Sequence, residues 1–445
     1  MMKSHARRRL LSIFLILPAC LLLVGLYFLP PIHSRLAWRM EEASLRIGYL
    51  LNPPAHAVFV PTERGLAPPQ VTVISQSSPT SPANSPSSPS PAPTQVGPTE
   101  TPAPTPSPTL TPAPLPEKVA LSGVVYQNQH GRYNYCAPAN LAMALSFWGW
   151  KGDQDVVGPQ IKPDPKDKNV MPYEMVDYIE SQTGLQAALR VGGDLDLLRR
   201  FVAAGFPVLI EKGTYLRDLT GVVSWMGHYQ VVTGYDQPGG FFITQDSFVG
   251  ADFQISEADL LKGWRAFNYA YIIVYPPEKE TQVMELLGSN ADETQNYQNA
   301  ALMASNEIYG LAGSDQYFAW FNRGSSLAAL QDYGGAAEAF DESFKVYQSL
   351  AENDRPWRML WYQTDPYFAY YGVGRYYDLL YLADGTLNAM QGDPNLEESY
   401  YWRGMAKSAL GDPAGAIEDF RASLRYHAGF QPALYQLKLL GVENP

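Results

Sequence analysis

The spacing of apolar and polar positions changes along this chain, and each change marks a region. Leu10 to Leu29 is an almost unbroken apolar run, preceded by Arg7, Arg8 and Arg9 and stopped by Pro30-Pro31. A run of that length predicts a membrane-spanning helix over 10–30, with residues 1–9 as a basic cytoplasmic tail. A cleaved signal peptide has a shorter apolar region, and a lipoprotein signal at Cys20, which follows Leu17-Pro18-Ala19, has fewer apolar residues after the cysteine; the length of the run favours the anchor. Over 31–66 the pattern becomes roughly helical, with Leu36, Met40, Leu45 and Ile47 set among charges, as in a juxtamembrane segment.

Residues 67–117 then lose both periodicities. Pro, Ser and Thr dominate, so the stretch cannot bury enough apolar surface to offset its ordering entropy and reads as a disordered linker. At about 3.1 Å per residue where polyproline II persists, it is expected to hold the C-terminal domains well clear of the membrane.

From 118 to 280 the pattern is mixed. Helical spacing predicts helices over Pro138–Trp148, Pro172–Gln182 and Asp194–Ala204, the first opening on a proline that suits a helix start. Four later runs, FPVLIEKG, HYQVVTGYD, GFFITQDSF and YAYIIVYPP, are β-branched and aromatic and are separated by Gly, Pro and Asp, as strands are. Helices first and an antiparallel sheet later give an α+β class. From 290 to 445 the texture is helical and repeats itself. WFNRGSSLAALQDYGGAAEAFDESF and YYWRGMAKSALGDPAGAIEDFRASL align Gly324 with Gly404, Leu330 with Leu410, Ala336 with Ala416, Phe340 with Phe420 and Ser343 with Ser423. Small residues and an aromatic at fixed offsets allow close antiparallel helix pairs. The pattern resembles the tetratricopeptide repeat; weaker units near Gly372 and over 300–309 extend the array.

Composition narrows the chemistry. With 44 acidic and 32 basic side chains the net charge is −12, which argues against nucleic acid as a partner. The spacings hold no Cys/His metal motif, so no metal and no cofactor are expected. The acidic-basic run PDPKDKN over 163–169 reads as a solvated loop.

Cys136 is the one cysteine outside the predicted span. A lone thiol in an exported domain is a liability unless it is buried, paired between chains or used. It precedes a helix, whose unpaired N–H groups favour thiolate. A thiolate nucleophile needs a base and the base an orienting group. Of six histidines only His130 and His228 lie in the mixed region, and His228 opens a predicted strand. With a five-residue loop from Asp236 to Gly240, Gln230 falls opposite Asp246, and His228 lies diagonally from Asp246 on the same face.

The run QNQHGRYNYCAPANLAMAL, followed by GHYQVVTGYD and ITQDSFVG, resembles the papain-like bacteriocin-processing cysteine peptidases that cut after double-glycine leaders, and more closely their stand-alone relatives. The resemblance covers about Leu121 to Tyr275. It implies a papain-like domain with Cys136 as nucleophile, His228 as base, Asp246 as orienting acid, and Gln129 as oxyanion donor with Gln127 in reserve. The family usually has Cys-Gly-Pro; this chain has Cys136-Ala137-Pro138. The motif of phosphate-binding export ATPases is absent. The chain is therefore expected to be a single-pass membrane protein with extracytoplasmic C-terminal domains that cleaves a peptide or protein, with repeats for substrate or partner binding. An amidase or transpeptidase on the same scaffold and an inactive peptidase-like binding protein are the alternatives.

Overall fold

The computed structural model describes residues 47, 58–61, 114–132, 134–164, 166–217, 223–390 and 394–442 of the chain. The predicted span over 10–30, nearly all of the juxtamembrane segment and most of the Pro/Ser/Thr stretch lie outside these. Among the described residues no helix is long and apolar enough to cross a membrane.

The first folded unit is an antiparallel sheet between two layers of helix. Its strands are β1 (Lys118–Ala120), β2 (Gln186–Arg190), β3 (Val208–Arg217), β4 (Val223–Asp236), β5 (Phe241–Asp246), β6 (Gly250–Ser256) and β7 (Tyr271–Tyr275). They run in the order β2-β7-β3-β4-β5-β6, with β1 on β4. Side chains alternate across the strands. Leu209, Tyr229, Val231, Ile272 and Val274 enter a core with α1 (Cys136–Phe147), α2 (Gln154–Ile161) and α3 (Pro172–Gln182). Val208, Ile210, Val232, Phe242 and Ile273 enter the other core, under α4 (Leu195–Ala203) and α5 (Glu257–Arg265).

Local chemistry starts these helices. The side chain of Asp194 accepts from the Leu197 amide at 2.6 Å, Ser256 caps α5 through the Asp259 amide at 3.1 Å, and Glu174 accepts from the Met171 amide at 2.7 Å beside Pro172. Helix α2 is not apparent from the sequence pattern, because QDVVGPQI carries Gly158 and Pro159. The glycine is there for packing: a Cβ on it would lie 1.9 Å from the Tyr135 hydroxyl. β2 also precedes α4, so helices and strands are interleaved more than the expected order of helices first and sheet later.

The C-terminal half is helical: α6 (Glu280–Leu287), α7 (Glu293–Ile308), α8 (Gly313–Ala329), α9 (Tyr333–Ser349), α10 (Met359–Tyr362), α11 (Asp365–Gly372), α12 (Tyr376–Asn388), α13 (Glu397–Ala409), α14 (Pro413–Tyr426) and α15 (Gln431–Leu439). The aligned repeats are the hairpins α8–α9 and α13–α14. In each the glycine makes room for the aromatic of the partner helix: a Cβ at Gly324 or Gly404 would come within 2.7 Å of the Phe340 or Phe420 ring. In each an aspartate caps the second helix, Asp332 on the Gly335 amide and Asp412 on the Gly415 amide, both at 2.9 Å.

The two halves share a core. Trp225 of β4 stacks on Phe267, just after α5, at 5.7 Å and on Phe318 of α8 at 5.8 Å. Asn268 binds Asn322 and Ser326 of α8, at 3.1 and 2.9 Å. Asp167 and Lys168, in the run expected to be a solvated loop, are only 6% and 9% exposed. Burial first, then the charge of Glu397, push the Asp167 carboxyl well above its usual range. Charge pattern alone could not show that a helix 230 residues further along would approach this loop.

Candidate active site

The site forms where β4 and β5 part. Their turn is one residue shorter than expected, pairing Asp236 with Phe241, and this register alone would place Val231 opposite Asp246. A bulge at Thr233 restores the count, so Val232 pairs with Thr244 and Val231 with Gln245, the last pair of the ladder. Leu121 N–H binds the Thr233 carbonyl at 2.8 Å and Gln245 Nε2 donates to the Thr233 hydroxyl at 3.0 Å, which holds the bulge in place.

Two residues apart on β4, His228 and Gln230 share a face and converge on Asp246. His228 Nε2 lies 2.8 Å from Asp246 Oδ1, and Gln230 Nε2 donates to Oδ2. The amides of Phe248 and Val249 also donate to Oδ1, at 2.8 and 3.0 Å. Asp246 and His228 are 1% and 6% exposed, so this carboxylate is desolvated yet fully satisfied.

Cys136 is the first residue of α1, and Pro138 sits inside the first turn rather than at its opening. The half-buried thiol lies near the His228 side chain and the Tyr229 N–H, both of which favour its ionised form. Burial alone would raise the thiol pKa. The His228 bond and charge, the Tyr229 N–H and the Lys162 charge outweigh it, and the net shift is downward from the ordinary value. For His228, burial favours the neutral ring, but Asp246 and then Cys136 favour the cation, and its pKa is raised to about 9. Asp246 is held below its usual range against burial by His228, the Val249 amide and Gln230. These opposite shifts favour thiolate beside imidazolium at neutral pH.

Gln129 lies on the approach to α1, and its amide N–H binds the Ser247 carbonyl at 3.0 Å. Ser247 Oγ donates to Gln129 Oε1 at 2.6 Å and accepts from Asn140 Nδ2 at 2.8 Å, while Asn140 Nδ2 also reaches the Cys136 carbonyl at 2.9 Å. This chain of bonds ties Gln129 to the first turn of α1. With Oε1 engaged, what Gln129 has left to offer is its NH2, a donor. Gln127 is half-buried, with no such tie among the described hydrogen bonds. His130 packs edge-on against Phe248 at 5.1 Å rather than on the thiol.

Several contributors are not evident from the sequence pattern. Asn140 stands four residues after Cys136, one helical turn on, and Ser247 directly follows Asp246; those offsets were the available signal. Lys162 and the Tyr229 N–H left none, because no fixed spacing links either of them to the thiol. Ala137 lies inside α1, 2% exposed, and is absent from the positive-φ positions, so its methyl fills core without needing glycine's freedom. Away from the thiol, Glu174, Glu397 and His427 bring ligand-type atoms within 4.8 Å of one another. His427 Nδ1 lies 3.0 Å from Glu397 and 3.8 Å from Glu174, an ion-pair cluster joining α3 to the repeats.

An antiparallel sheet with helices on both faces and a cysteine at a helix start beside a histidine-carboxylate pair defines a cysteine-peptidase type of domain. Residues 121–272, about a third of the chain, match the family model described as Peptidase_C39 like family. A crystal structure of a C39-like peptidase from Bacillus anthracis matches at 19% identity and a TM-score of 0.30, covering 35% of this chain and 96% of that one. No curated protein matches the chain.

Proposed function

We propose that this chain is a membrane-anchored, extracytoplasmic cysteine peptidase acting through Cys136, His228 and Asp246. The observation that carries the reading is the buried bond of 2.8 Å from His228 Nε2 to Asp246 Oδ1 beside the half-buried Cys136 at the start of α1, whose ionised form His228 favours. In the first step the Cys136 thiolate attacks the carbonyl carbon of the scissile amide, and the oxyanion takes hydrogen bonds from the Cys136 N–H and the Gln129 NH2. The tetrahedral species collapses, the C–N bond breaks, and His228 gives its proton to the departing amine. A thioester remains. Neutral His228 then takes a proton from water, whose oxygen attacks the thioester; the C–S bond breaks, an acid leaves, and thiolate and imidazolium are restored. Asp246 holds the ring in place and supports its charge. The repeats, packed against this domain, are assigned to substrate or partner binding, and the apolar run over 10–30 to the membrane.

Alkylation of the full chain in detergent by iodoacetamide across pH tests the nucleophile. The thiolate is expected to form below the ordinary thiol range, so labelling of the native chain rises early with pH. His228→Ala removes the bond and charge that lower the pKa and leaves burial to raise it, so the rise moves to higher pH. Labelling only after denaturation would sink the reading. Hydrolysis of a fluorogenic peptide library tests the reaction, and its rate is expected to fall again as His228 loses its proton near 9.

A further inference from the structure

Ahead of the Pro/Ser/Thr stretch, residues 58–61 (Val-Phe-Val-Pro) lie on the helical repeats. Phe59 is the sole aromatic between Tyr49 and Tyr126, and its ring sits edge-on to Phe344 of α9 at 5.0 Å and 5.9 Å from Tyr370 of α11. Gln348 Nε2 donates to the Phe59 carbonyl at 3.2 Å, giving an otherwise unpaired backbone group of an extended segment its partner. Val58 and Phe59 are half-buried, and a cavity of about 300 Å³ remains between the segment and Tyr347, Met359, Leu360, Tyr381 and Leu382.

We propose that Val58–Pro61 is a built-in apolar ligand of the repeats, seated in cis in the groove between α9, α10 and α12 and strapping the N-terminal part of the chain to the C-terminal domain. An aromatic between two β-branched residues meets an aromatic-lined groove, while a glutamine at its edge pairs the backbone, so side chains and main chain are both recognised. On the C-terminal side of residues 62–113, Tyr235 Oη donates to the Pro116 carbonyl at 2.7 Å, which ties that end to the same body. Residues 62–113 therefore join two points on one body. If 10–30 spans the membrane, the link between membrane and folded body is 31–57, which reaches at most about 97 Å fully extended, and the Pro/Ser/Thr stretch adds nothing to it. This inference does not depend on the peptidase reading, and Cys136 alkylation in the same samples reports that reading separately.

Hydrogen exchange on the full chain in detergent tests the strap. In Phe59→Asp the amides of α9 and α12 that face the groove are expected to exchange about tenfold or more faster than in the unaltered chain, the effect of unseating a part-buried aromatic. Gln348→Ala, which alters only the edge, is expected to give a severalfold increase. Adding the synthetic peptide AHAVFVPT to Phe59→Asp is expected to restore protection, and the same peptide with aspartate for phenylalanine is not. Equal exchange in the unaltered and Phe59→Asp chains overturns the proposal. A dimer by light scattering that Phe59→Asp converts to monomer also overturns it, because the segment would then occupy the groove of a second copy.

Discussion

The sheet domain and the helical repeats bring distant residues together in different ways. In the repeats, Gly324 meets Phe340 sixteen residues on, and Gly404 meets Phe420 at the same separation, because a helical hairpin fixes which offsets touch. Around the thiol, Cys136, His228 and Asp246 come from a helix start and two strands, and their meeting depends on a bulge and on where a ladder stops. A local rule can be copied along a chain, as it is here. A long-range site has to be assembled once, and each part supports several others.

Substitutions should separate the two regimes. The largest effect is expected from Cys136→Ala, which removes the proposed nucleophile and should lower library hydrolysis by at least about 10³-fold while thermal melting of the chain changes little. A variant that still cleaves would detach the reaction from this site. Asp246→Ala is expected to combine loss of rate with loss of stability. It strips His228, Gln230 and two amides of their acceptor in a buried setting, about 3–5 kcal/mol in denaturant melts. If the site were as local as a repeat, the loss would be confined to the rate.

Gln129→Ala comes next, at about 10²–10³ in kcat if its NH2 meets the oxyanion. Ser247→Ala tests whether Gln129 needs its tie. A smaller fall in kcat with KM unchanged is expected, together with an unaltered pH profile of Cys136 alkylation, since the serine touches Gln129 and Asn140 but not the thiol–imidazole pair. A shifted profile would mean that Ser247 acts on the thiol instead. The smallest effect at the site is expected from Gly404→Ala. Its Cβ would press on Phe420 and cost about 1–3 kcal/mol in the stability of the repeats, with Cys136 alkylation unchanged. Slowed alkylation would show that the shared core around Trp225 transmits strain from the repeats into β4.

Legibility divided along the same line. The hairpins could be read from their offsets, because each contact there is a spacing. The helix at Cys136, the strand carrying His228 and the acid after the next turn were readable as pattern and order. The turn is one residue shorter than the pattern predicts, and the bulge at Thr233 compensates, so the expected neighbours meet in a register that is only partly the expected one. A bulge leaves no periodic mark in a run such as HYQVVTGYD. The burial of Asp167 and Lys168 escaped for a related reason, since charge pattern reports solvation only where nothing distant covers it.

By itself the sequence determined which residue types exist to do chemistry: one thiol beyond the apolar N-terminal run, one strand-borne histidine, one acid after the next turn, and a glutamine ahead of the thiol. It also determined the helical pairs, whose contacts lie within a hairpin's reach. Only the tertiary fold set where β5 ends, that Ser247 and Asn140 hold Gln129, that the charge of Glu397 on α13 acts on Asp167, and that Phe59 lies on the repeats. The reason is that such contacts join segments with no fixed sequence separation. Their geometry is set by how whole layers pack, which no local pattern of residues encodes.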